Sequence, residues 1–281
     1  MAQLLDGRLL SARVIEEARA RTEALKNKGV EPGLAVILVG EDPASQIYVR
    51  NKEKACADTG IRSFSRRLPE NTAQEELINV IRELNRDERV HGILVQLPLP
   101  PHLDEKAALA VIAPEKDADG FHLLNAGKLF TGSEGTVPCT PKGVMYMLKS
   151  AGIPLEGKEA VVIGRSNIVG KPMAMLLLNE NCTVTLCHSR TKDLKEHTLR
   201  ADILVSAVGR PRFVTADMVK DGAAVVDVGI NRVDGKVVGD VDFDAVSRKA
   251  SYITPVPGGV GKMTVSMLML NTVEAAERAA E

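Results

Sequence analysis

The stretch EAVVIGRSNIVGKP, residues 159–172, decides the fold. An apolar run of strand length leads into a glycine turn and then into the start of a helix. At such a turn the backbone N–H groups of the helix N-terminus can hold a pyrophosphate. Gly164 would allow the tight turn and Gly170 close helix packing, but Ser166 stands where G-x-G-x-x-G has its second glycine. By itself the segment also fits an ordinary strand-to-helix connection.

Apolar runs of strand length alternate with segments of helical periodicity on both sides of this stretch, which is typical of βαβ architecture. The predicted strands cover residues 34–40, 61–68, 91–97, 159–164, 183–188, 202–209, 223–229 and 251–257. The predicted helices cover residues 10–25, 45–58, 73–85, 104–113, 141–152 and 263–280. The pattern predicts an α/β protein with two parallel sheets.

The domain organisation follows from one interruption of this alternation. From Pro114 to Thr140 the periodicity disappears and Gly, Asp and Pro accumulate, which predicts a long loop between two domains. The terminal segment is amphipathic and long enough to pack back on the first domain. We therefore expect a catalytic domain of residues 1–139 plus 257–281 and a Rossmann-like domain of residues 140–256.

Composition excludes several classes of function. The chain of 281 residues carries 36 Lys and Arg against 37 Asp and Glu, so no overall field attracts nucleic acid or an anionic membrane. The four cysteines are scattered without zinc-site spacing, which predicts reduced thiols and no metal. The N-terminus resembles neither a signal peptide nor a membrane span, so we expect a cytoplasmic protein.

The strand that follows the glycine turn indicates which dinucleotide is bound. An NAD site usually has Asp or Glu at the end of this strand, whereas TVTLCH is followed by Ser189 and Arg190. These two residues, with Arg165 in the turn, could hold a 2′-phosphate and favour NADP. Arg190 taken singly also fits a solvated surface cation. Gly229 and Ile230, in DVGIN, end a further predicted strand and could reach the nicotinamide end of the site, although a lone apolar Ile is by default a core residue.

A second set of residues could move protons. Tyr48 and Lys52 are four residues apart on a predicted helix and share one face. A buried lysine with a lowered pKa can exchange protons at neutral pH, and a phenol can orient it. Gln96 ends a predicted strand, where α/β active sites form, and could bond Lys52 or a substrate. A surface lysine beside a packed tyrosine is the alternative.

Two further segments contain candidate binding residues. Asp117 and Asp119 lie in PEKDADGFH, and a carboxylate can accept two parallel hydrogen bonds from the amidine-like edge of a pterin. Together with His122 they could instead suggest a metal, but the spacing matches no familiar ligand set. The proline and glycines of PVPGG, residues 255–259, would let backbone approach a planar ligand or merely form a turn.

Six ordered segments together resemble the methylenetetrahydrofolate dehydrogenase/cyclohydrolase family. They are VGEDPASQIYVRNK, VQLPLP, PEKDADGFH, GRSNIVGKP, DVGIN and ITPVPGGVGKMT, and they span residues 39–264. The resemblance implies two α/β domains that flank a cleft, a homodimer, and a multifunctional NADP enzyme of one-carbon metabolism and purine biosynthesis. Such an enzyme oxidises 5,10-methylenetetrahydrofolate and hydrolyses the methenyl product to 10-formyltetrahydrofolate.

The resemblance also implies roles for individual residues. Lys52 matches the catalytic lysine, Tyr48 the partner that stacks near the folate, and Gln96 the glutamine that orients the lysine. Asp119 matches the pterin-binding aspartate, and Ser45, in the same segment as Tyr48 and Lys52, is a candidate for helping to position substrate. The residues matched to the folate border are Pro257, Gly258 and Gly259, and those matched to the cofactor are Gly164, Arg165, Ser166, Ser189 and Ile230.

Two other functions stay open at this level. One is an NAD(P) dehydrogenase of another small metabolite, such as a shikimate-like or amino-acid substrate, which would not respond to folates. The other is a sensor that binds NADP without turnover. The basic cluster Arg62, Arg66 and Arg67 could meet a polyglutamate tail, although a solvated strand edge explains it as well.

Overall fold

The computed structural model describes residues 1–281 and divides them into two compact units. We call residues 12–139 with 265–281 the three-stranded unit, and residues 1–11 with 140–264 the six-stranded unit, after the sheet that each contains. The predicted α/β fold class with two parallel sheets is confirmed.

The elements alternate along the chain, as expected for this class. The strands are β1 (Gln3–Leu4), β2 (Gly33–Val39), β3 (Arg62–Leu68), β4 (Gly92–Val95), β5 (Glu159–Ile163), β6 (Thr183–Cys187), β7 (Ile203–Ser206), β8 (Ala224–Asp227), β9 (Asn231–Val233), β10 (Lys236–Val238) and β11 (Tyr252–Ile253). The α-helices are α1 (Gly7–Lys26), α2 (Pro43–Thr59), α3 (Gln74–Arg86), α4 (Glu105–Val111), α5 (Leu123–Thr131), α6 (Cys139–Ser150), α7 (Gly170–Asn179), α8 (Leu194–Thr198), α9 (Phe243–Val246) and α10 (Val260–Ala279).

The three-stranded unit is built on a parallel sheet of order β3-β2-β4. Every residue of β2 is buried, which explains why its sequence GLAVILV is a continuous apolar run. Beyond β4 the segment at Asp117 runs parallel to the sheet, because Ala118 N donates to Ile93 O at 3.3 Å. The carboxyl ends of β2 and β4 and this segment therefore lie at one edge.

The six-stranded unit has a parallel sheet of order β1-β11-β8-β7-β5-β6. From β5 the chain goes to β6 on one side and then crosses to β7 on the other. The loops after β5 and β7 therefore diverge, and such a topological switch point is where open α/β sheets bind ligands. A separate antiparallel hairpin joins β9 and β10.

The compact units differ from the predicted domains at the N-terminus. Residues 1–11 fall in the six-stranded unit, although the prediction placed 1–139 in the catalytic domain. The cause is backbone pairing: Gln3 and Leu4 lie opposite Tyr252 and Ile253, and Leu5 N donates to Ile253 O at 2.9 Å. A two-residue strand is too short to produce a sequence pattern.

The C-terminal boundary also differs. Residues 257–264 belong to the six-stranded unit, and only residues 265–281 return to the three-stranded unit. In that unit Asn271 Nδ2 donates to Ala118 O at 2.9 Å, and Glu277 pairs with Arg21. The predicted return of the terminal helix is correct from Val265 onward. None of the helices combines the length and apolar character needed to cross a membrane.

The predicted long loop from Pro114 to Thr140 is wrong in its middle. A short 3-10 turn covers Pro114–Lys116, and α5 occupies Leu123–Thr131. The side chain of His122 caps α5, since its Nδ1 accepts from Leu124 N at 3.1 Å. The apolar residues Leu123, Leu124 and Phe130 of this helix are exposed, so they do not mark a buried helix face.

Candidate active site

Helix α2 carries the proposed proton-transfer residues of the three-stranded unit. Asp42 caps its N-terminus by accepting from Ser45 N at 2.7 Å, and Pro43 occupies the first turn. Tyr48 and Lys52 therefore lie one turn apart, as predicted. Tyr48 is 49% exposed and open to a ligand, whereas Ser45 is buried beneath the cap.

Lys52 is brought to Gln96 by the register of the sheet. Gln96 N donates to Ile37 O at 2.8 Å, which continues the ladder between β2 and β4 by one residue. The Gln96 side chain is then fixed at both ends: Oε1 accepts from Lys52 Nζ at 2.9 Å, and Nε2 donates to Leu97 O at 2.6 Å. Because the amide cannot rotate without losing both bonds, the amine has one defined position.

The surroundings of this pair make the charged form of Lys52 less favourable than it is in water. Burial strips water from Lys52 and lowers the pKa of its ammonium, while the negative charge of Asp119 acts in the opposite direction. Gln96 accepts a hydrogen bond without supplying the negative charge that a carboxylate would. The lysine is thus oriented by a partner that does not restore its ordinary pKa.

The two aspartates of PEKDADGFH have different structural environments. Asp117 is buried, and its two oxygens accept from the backbone N–H groups of Gly120 (3.1 Å), Phe121 (3.2 Å) and His122 (2.8 Å) and from Asn125 Nδ2 (2.9 Å). These four bonds fold the loop and leave Asp117 little capacity for a ligand. The alternative of a metal held with His122 loses support, because Asp117 and His122 both serve the loop.

Asp119 has no comparable set of partners. Its nearest polar neighbour is Cys139 Sγ, 4.0 Å from Oδ1, and burial raises the pKa of its carboxyl to about 6, against the attraction of Lys52. The backbone beside it is fixed, because Asn271 Nδ2 donates to both Ala118 O and Val137 O. Asp119 is therefore a rigidly placed carboxyl with lone pairs to spare. Sequence analysis did not find Cys139 and Asn271, since each acts from a distant segment.

These environments predict opposite effects of two matched substitutions. D117N replaces one accepting oxygen by an N–H2 donor that faces two of the four donors, and we expect it to lower the free energy of unfolding by about 2–4 kcal/mol. D119N removes a carboxyl whose raised pKa makes folding less favourable as pH rises from about 4 to 6. At pH 7 the urea concentration at the unfolding midpoint of D119N should therefore be at least as high as that of the wild type. Equal loss of stability in both variants would contradict the assignment.

The glycine turn of the six-stranded unit lies at the switch point. Gly164 has φ +121°, a conformation that residues with a side chain avoid, and a Cβ there would overlap Ala207 O in the loop after β7. A Cβ on Gly170 would overlap Gly164 O. The loops after β5 and β7 and the start of α7 therefore pack backbone against backbone.

Ser166 has a role in this turn that a glycine could not supply. Its Oγ accepts from Val169 N at 3.1 Å and from Gly170 N at 3.2 Å, so it caps the N-terminus of α7. Because Oγ only accepts in this cap, its hydroxyl proton is available as a donor for an anionic group. Arg165, Ser166 and the residues after β6, Ser189 and Arg190, are all exposed.

No carboxylate ends β6. The turn after it is shaped by His188, whose Nδ1 accepts from Arg190 N at 3.1 Å, and by Thr191, whose Oγ1 accepts from His188 N at 2.8 Å. The turns after β5 and β6 are thus bordered by cations, Arg165 and Arg190 among them, and by the hydroxyls of Ser166 and Ser189. This set fits a phosphate better than a ribose hydroxyl.

The remaining predicted residues also lie in the six-stranded unit. Ile230 lies against Gly261 and is 56% exposed, although it is large and apolar. Such exposure is what a contact with a ligand would require. Pro257, Gly258 and Gly259 follow β11 and pack near Gly7 and Arg8. They were predicted to belong to the catalytic domain, and the structure assigns them to the other unit.

Comparison with known proteins identifies both units. The catalytic-domain model of tetrahydrofolate dehydrogenase/cyclohydrolase matches residues 5–119, and the NAD(P)-binding-domain model of the same family matches residues 138–280. The bifunctional protein FolD of Campylobacter concisus is 62% identical over 276 residues, with 98% of each chain covered.

Solved structures agree with this result. The bifunctional FolD methylenetetrahydrofolate dehydrogenase/cyclohydrolase of Campylobacter jejuni has a TM-score of 0.97 at 55% identity, with 99% of each chain covered. The Trypanosoma brucei N5,N10-methylenetetrahydrofolate dehydrogenase-cyclohydrolase, solved with NADP and an inhibitor, has a TM-score of 0.94 at 45% identity, covering 100% of this chain and 99% of that one. With both domain models matched and the fold shared along its whole length, this chain belongs to the tetrahydrofolate dehydrogenase/cyclohydrolase family.

Proposed function

We propose that the protein oxidises 5,10-methylenetetrahydrofolate with NADP and hydrolyses the resulting 5,10-methenyltetrahydrofolate to 10-formyltetrahydrofolate. Family membership and the names of the relatives support both activities. The observation that carries the proposal is the placement of Lys52. Its Nζ donates to the uncharged amide oxygen of Gln96 at 2.9 Å, and burial lowers the pKa of its ammonium. A lysine in this state can both accept and donate a proton near neutral pH.

The six-stranded unit would hold the cofactor. Its residues fit a dinucleotide phosphate, because the glycine turn leads into the N-terminus of α7 and Ser166 keeps a hydroxyl donor there. Arg165, Ser189 and Arg190 would hold the 2′-phosphate that distinguishes NADP from NAD. When bound, NADP supplies the hydride acceptor for the oxidation. The oxidation then needs alignment from the protein more than acid or base groups.

Hydrolysis would depend on Lys52. Water adds to the methenyl carbon, and the neutral amine of Lys52 takes the proton that this water loses. One carbon–nitrogen bond of the five-membered ring then breaks as the added hydroxyl releases its remaining proton to solvent and becomes the formyl oxygen. The ammonium of Lys52 returns a proton to the departing ring nitrogen. Gln96 keeps Nζ in one position through both transfers. Lys52 thus acts first as base and then as acid.

Asp119 and Tyr48 would hold the folate. The carboxyl of Asp119 has lone pairs to spare and can accept two parallel hydrogen bonds from the N–H and the amine of a pterin edge. Tyr48 offers a half-exposed aromatic face one turn from Lys52. Each contact brings the one-carbon unit toward the amine.

The pH dependence of hydrolysis tests the role of the neutral acceptor. Because Lys52 must lose its proton to act as a base, the cyclohydrolase rate should rise with pH through the pKa of Lys52. Q96E places a negative charge beside the ammonium and raises that pKa. We expect the rising limb to move by about one pH unit or more to higher pH, as measured by methenyltetrahydrofolate decay. A profile that does not move would rule out Lys52 as the titrating base.

Substrate tests distinguish this function from its alternative. In the presence of 5,10-methylenetetrahydrofolate the purified protein should reduce NADP much faster than NAD. Absorbance of the reduced cofactor measures both rates. Turnover of a shikimate-like or amino-acid substrate without any response to folates would favour a dehydrogenase of another metabolite. Cofactor binding without turnover of any folate would favour the sensor.

The assembly and location are part of the same proposal. A cytoplasmic homodimer is supported by the family resemblance and by four buried cysteines without disulfides, which fit a reducing compartment. Analytical ultracentrifugation that finds only a species of monomer mass would contradict the dimer.

A further inference from the structure

Two buried carboxylates near the carboxyl end of β8 have no part in the function described so far. Asp227 ends β8 and is 3% exposed, and Asp240, thirteen residues later, is completely buried. Neither has a lysine or arginine partner. A carboxylate without a counter-ion is costly to bury unless hydrogen bonds satisfy it, so its retention points to a specific task.

Asp240 accepts from Ser206 Oγ at the end of β7 at 3.4 Å and collects its other hydrogen bonds from two different loops. In the loop after β7, Oδ2 accepts from Val208 N at 2.7 Å and Gly209 N at 3.1 Å, and Oδ1 accepts from Arg210 N at 2.9 Å. From the segment after β8, Asn231 Nδ2 donates to Oδ1 at 3.0 Å. One side chain therefore sets three consecutive amides of one loop and ties that loop to the other.

Asp227 in turn fixes Asp240. Its Oδ1 accepts from Asp240 N at 2.9 Å and from Gly229 N at 2.9 Å, and its Oδ2 accepts from Val241 N at 2.8 Å. The packing is too close for side chains at the two intervening glycines: a Cβ on Gly229 would overlap Asp240, and a Cβ on Gly239 would overlap Asp227. The backbone position of Asp240 is thus determined independently of any ligand.

The loops that Asp240 holds form part of the switch point. Ala207, directly before the three amides, presents the carbonyl that packs against Gly164 in the glycine turn. Ile230, directly before Asn231, is the exposed apolar residue assigned to the nicotinamide end. A shift of either loop would therefore change the walls against which the dinucleotide is expected to lie.

We propose that Asp240 is a positioning residue for the dehydrogenase half-reaction, which acts by setting the loops at 207–210 and 229–231 for dinucleotide binding. The proposal rests on the function proposed above. Asp240 contributes to cofactor affinity through these loops and does not touch the cofactor itself. Since it lies in the six-stranded unit, hydrolysis by Lys52 should proceed without it.

The test compares D240N with D244N, a matched change at an exposed aspartate four residues away. D240N turns an amide toward donors, so we expect the Kd for NADP, measured by calorimetry, to rise at least about tenfold. Hydrogen exchange at the amides of 208–210 should become faster without added cofactor. Cyclohydrolase activity should stay within about twofold of the wild type, and D244N should match the wild type in all three measurements.

The possible results distinguish failure of the Asp240 positioning role from failure of the proposed NADP-dependent function. Loss of amide protection with an unchanged Kd, or equal loss of both activities, would overturn the positioning role. A wild type that does not bind NADP would instead refute the proposed function, whereas the exchange result would still report on the loops. If D240N does not fold, N231A is the second test. It removes only the hydrogen bond from Asn231 Nδ2 to Asp240, and we expect about threefold weaker NADP binding. Unchanged binding in N231A would then overturn the proposal.

Discussion

Replacing Lys52 with methionine is expected to reduce cyclohydrolase activity by about a thousandfold, the scale of a lost general acid–base group. Methionine keeps a long apolar stem in the partly buried position, but it cannot take a proton from water or return one to nitrogen. Hydride transfer should fall much less, because it needs alignment and no proton from Lys52. The Kd for NADP should be unchanged. The measurement is decay of purified methenyltetrahydrofolate beside NADP reduction.

K54M is the matched control for this substitution. Lys54 lies on the same helix, but it is exposed and pairs only with Asp58 one turn away, so its loss should alter neither activity. If K52M lost both activities equally while still binding NADP, the division of labour between Lys52 and the cofactor site would be wrong.

Replacing both Arg165 and Arg190 with alanine is expected to lower kcat/KM for NADP about a hundredfold, with little change for NAD. The reason is that each guanidinium can donate charge-assisted bonds to the 2′-phosphate, and such bonds contribute about 1.5–3 kcal/mol each. Both side chains are exposed, so their removal should not disturb the fold.

K192A distinguishes a specific contact from a general positive field. Lys192 is exposed in the same turn as Arg190. K192A should lower kcat/KM for NADP only slightly, and the difference from the wild type should shrink with added salt. Cyclohydrolase activity should be unaffected in both proteins. An equal fall for NADP and NAD in the double variant would mean that the arginines do not read the 2′-phosphate.

The long buried strands were predictable because their apolar runs are continuous. LAVILVG and EAVVIG lie in parallel sheets and are buried on both faces, so no polar residue interrupts them. The elements that sequence analysis missed lack such a signal. β1 is two residues long, α5 buries only Asn125 and Leu129, and the hairpin of β9 and β10 is largely exposed.

The candidate site was predictable where chemistry and spacing coincide. Tyr48 and Lys52 share a helix face, and Gln96 ends a strand, so their meeting follows from local rules. The choice between Asp117 and Asp119 was not predictable, because it depends on which carboxylate the loop amides occupy. Asp240 gave no signal either: its partners come from loops after β7 and β8, and only the folded sheet brings them together.

The most direct test of the central claim, that one chain performs both reactions and only hydrolysis needs Lys52, is to identify the folate product of a single reaction. Wild type and K52M are each incubated with 5,10-methylenetetrahydrofolate and NADP, and the folates are separated by chromatography. We predict that the wild type yields 10-formyltetrahydrofolate and NADPH, whereas K52M forms NADPH and accumulates 5,10-methenyltetrahydrofolate. Enzyme-accelerated formation of 10-formyltetrahydrofolate by K52M at the wild-type rate, or no folate oxidation by either protein, would contradict the account.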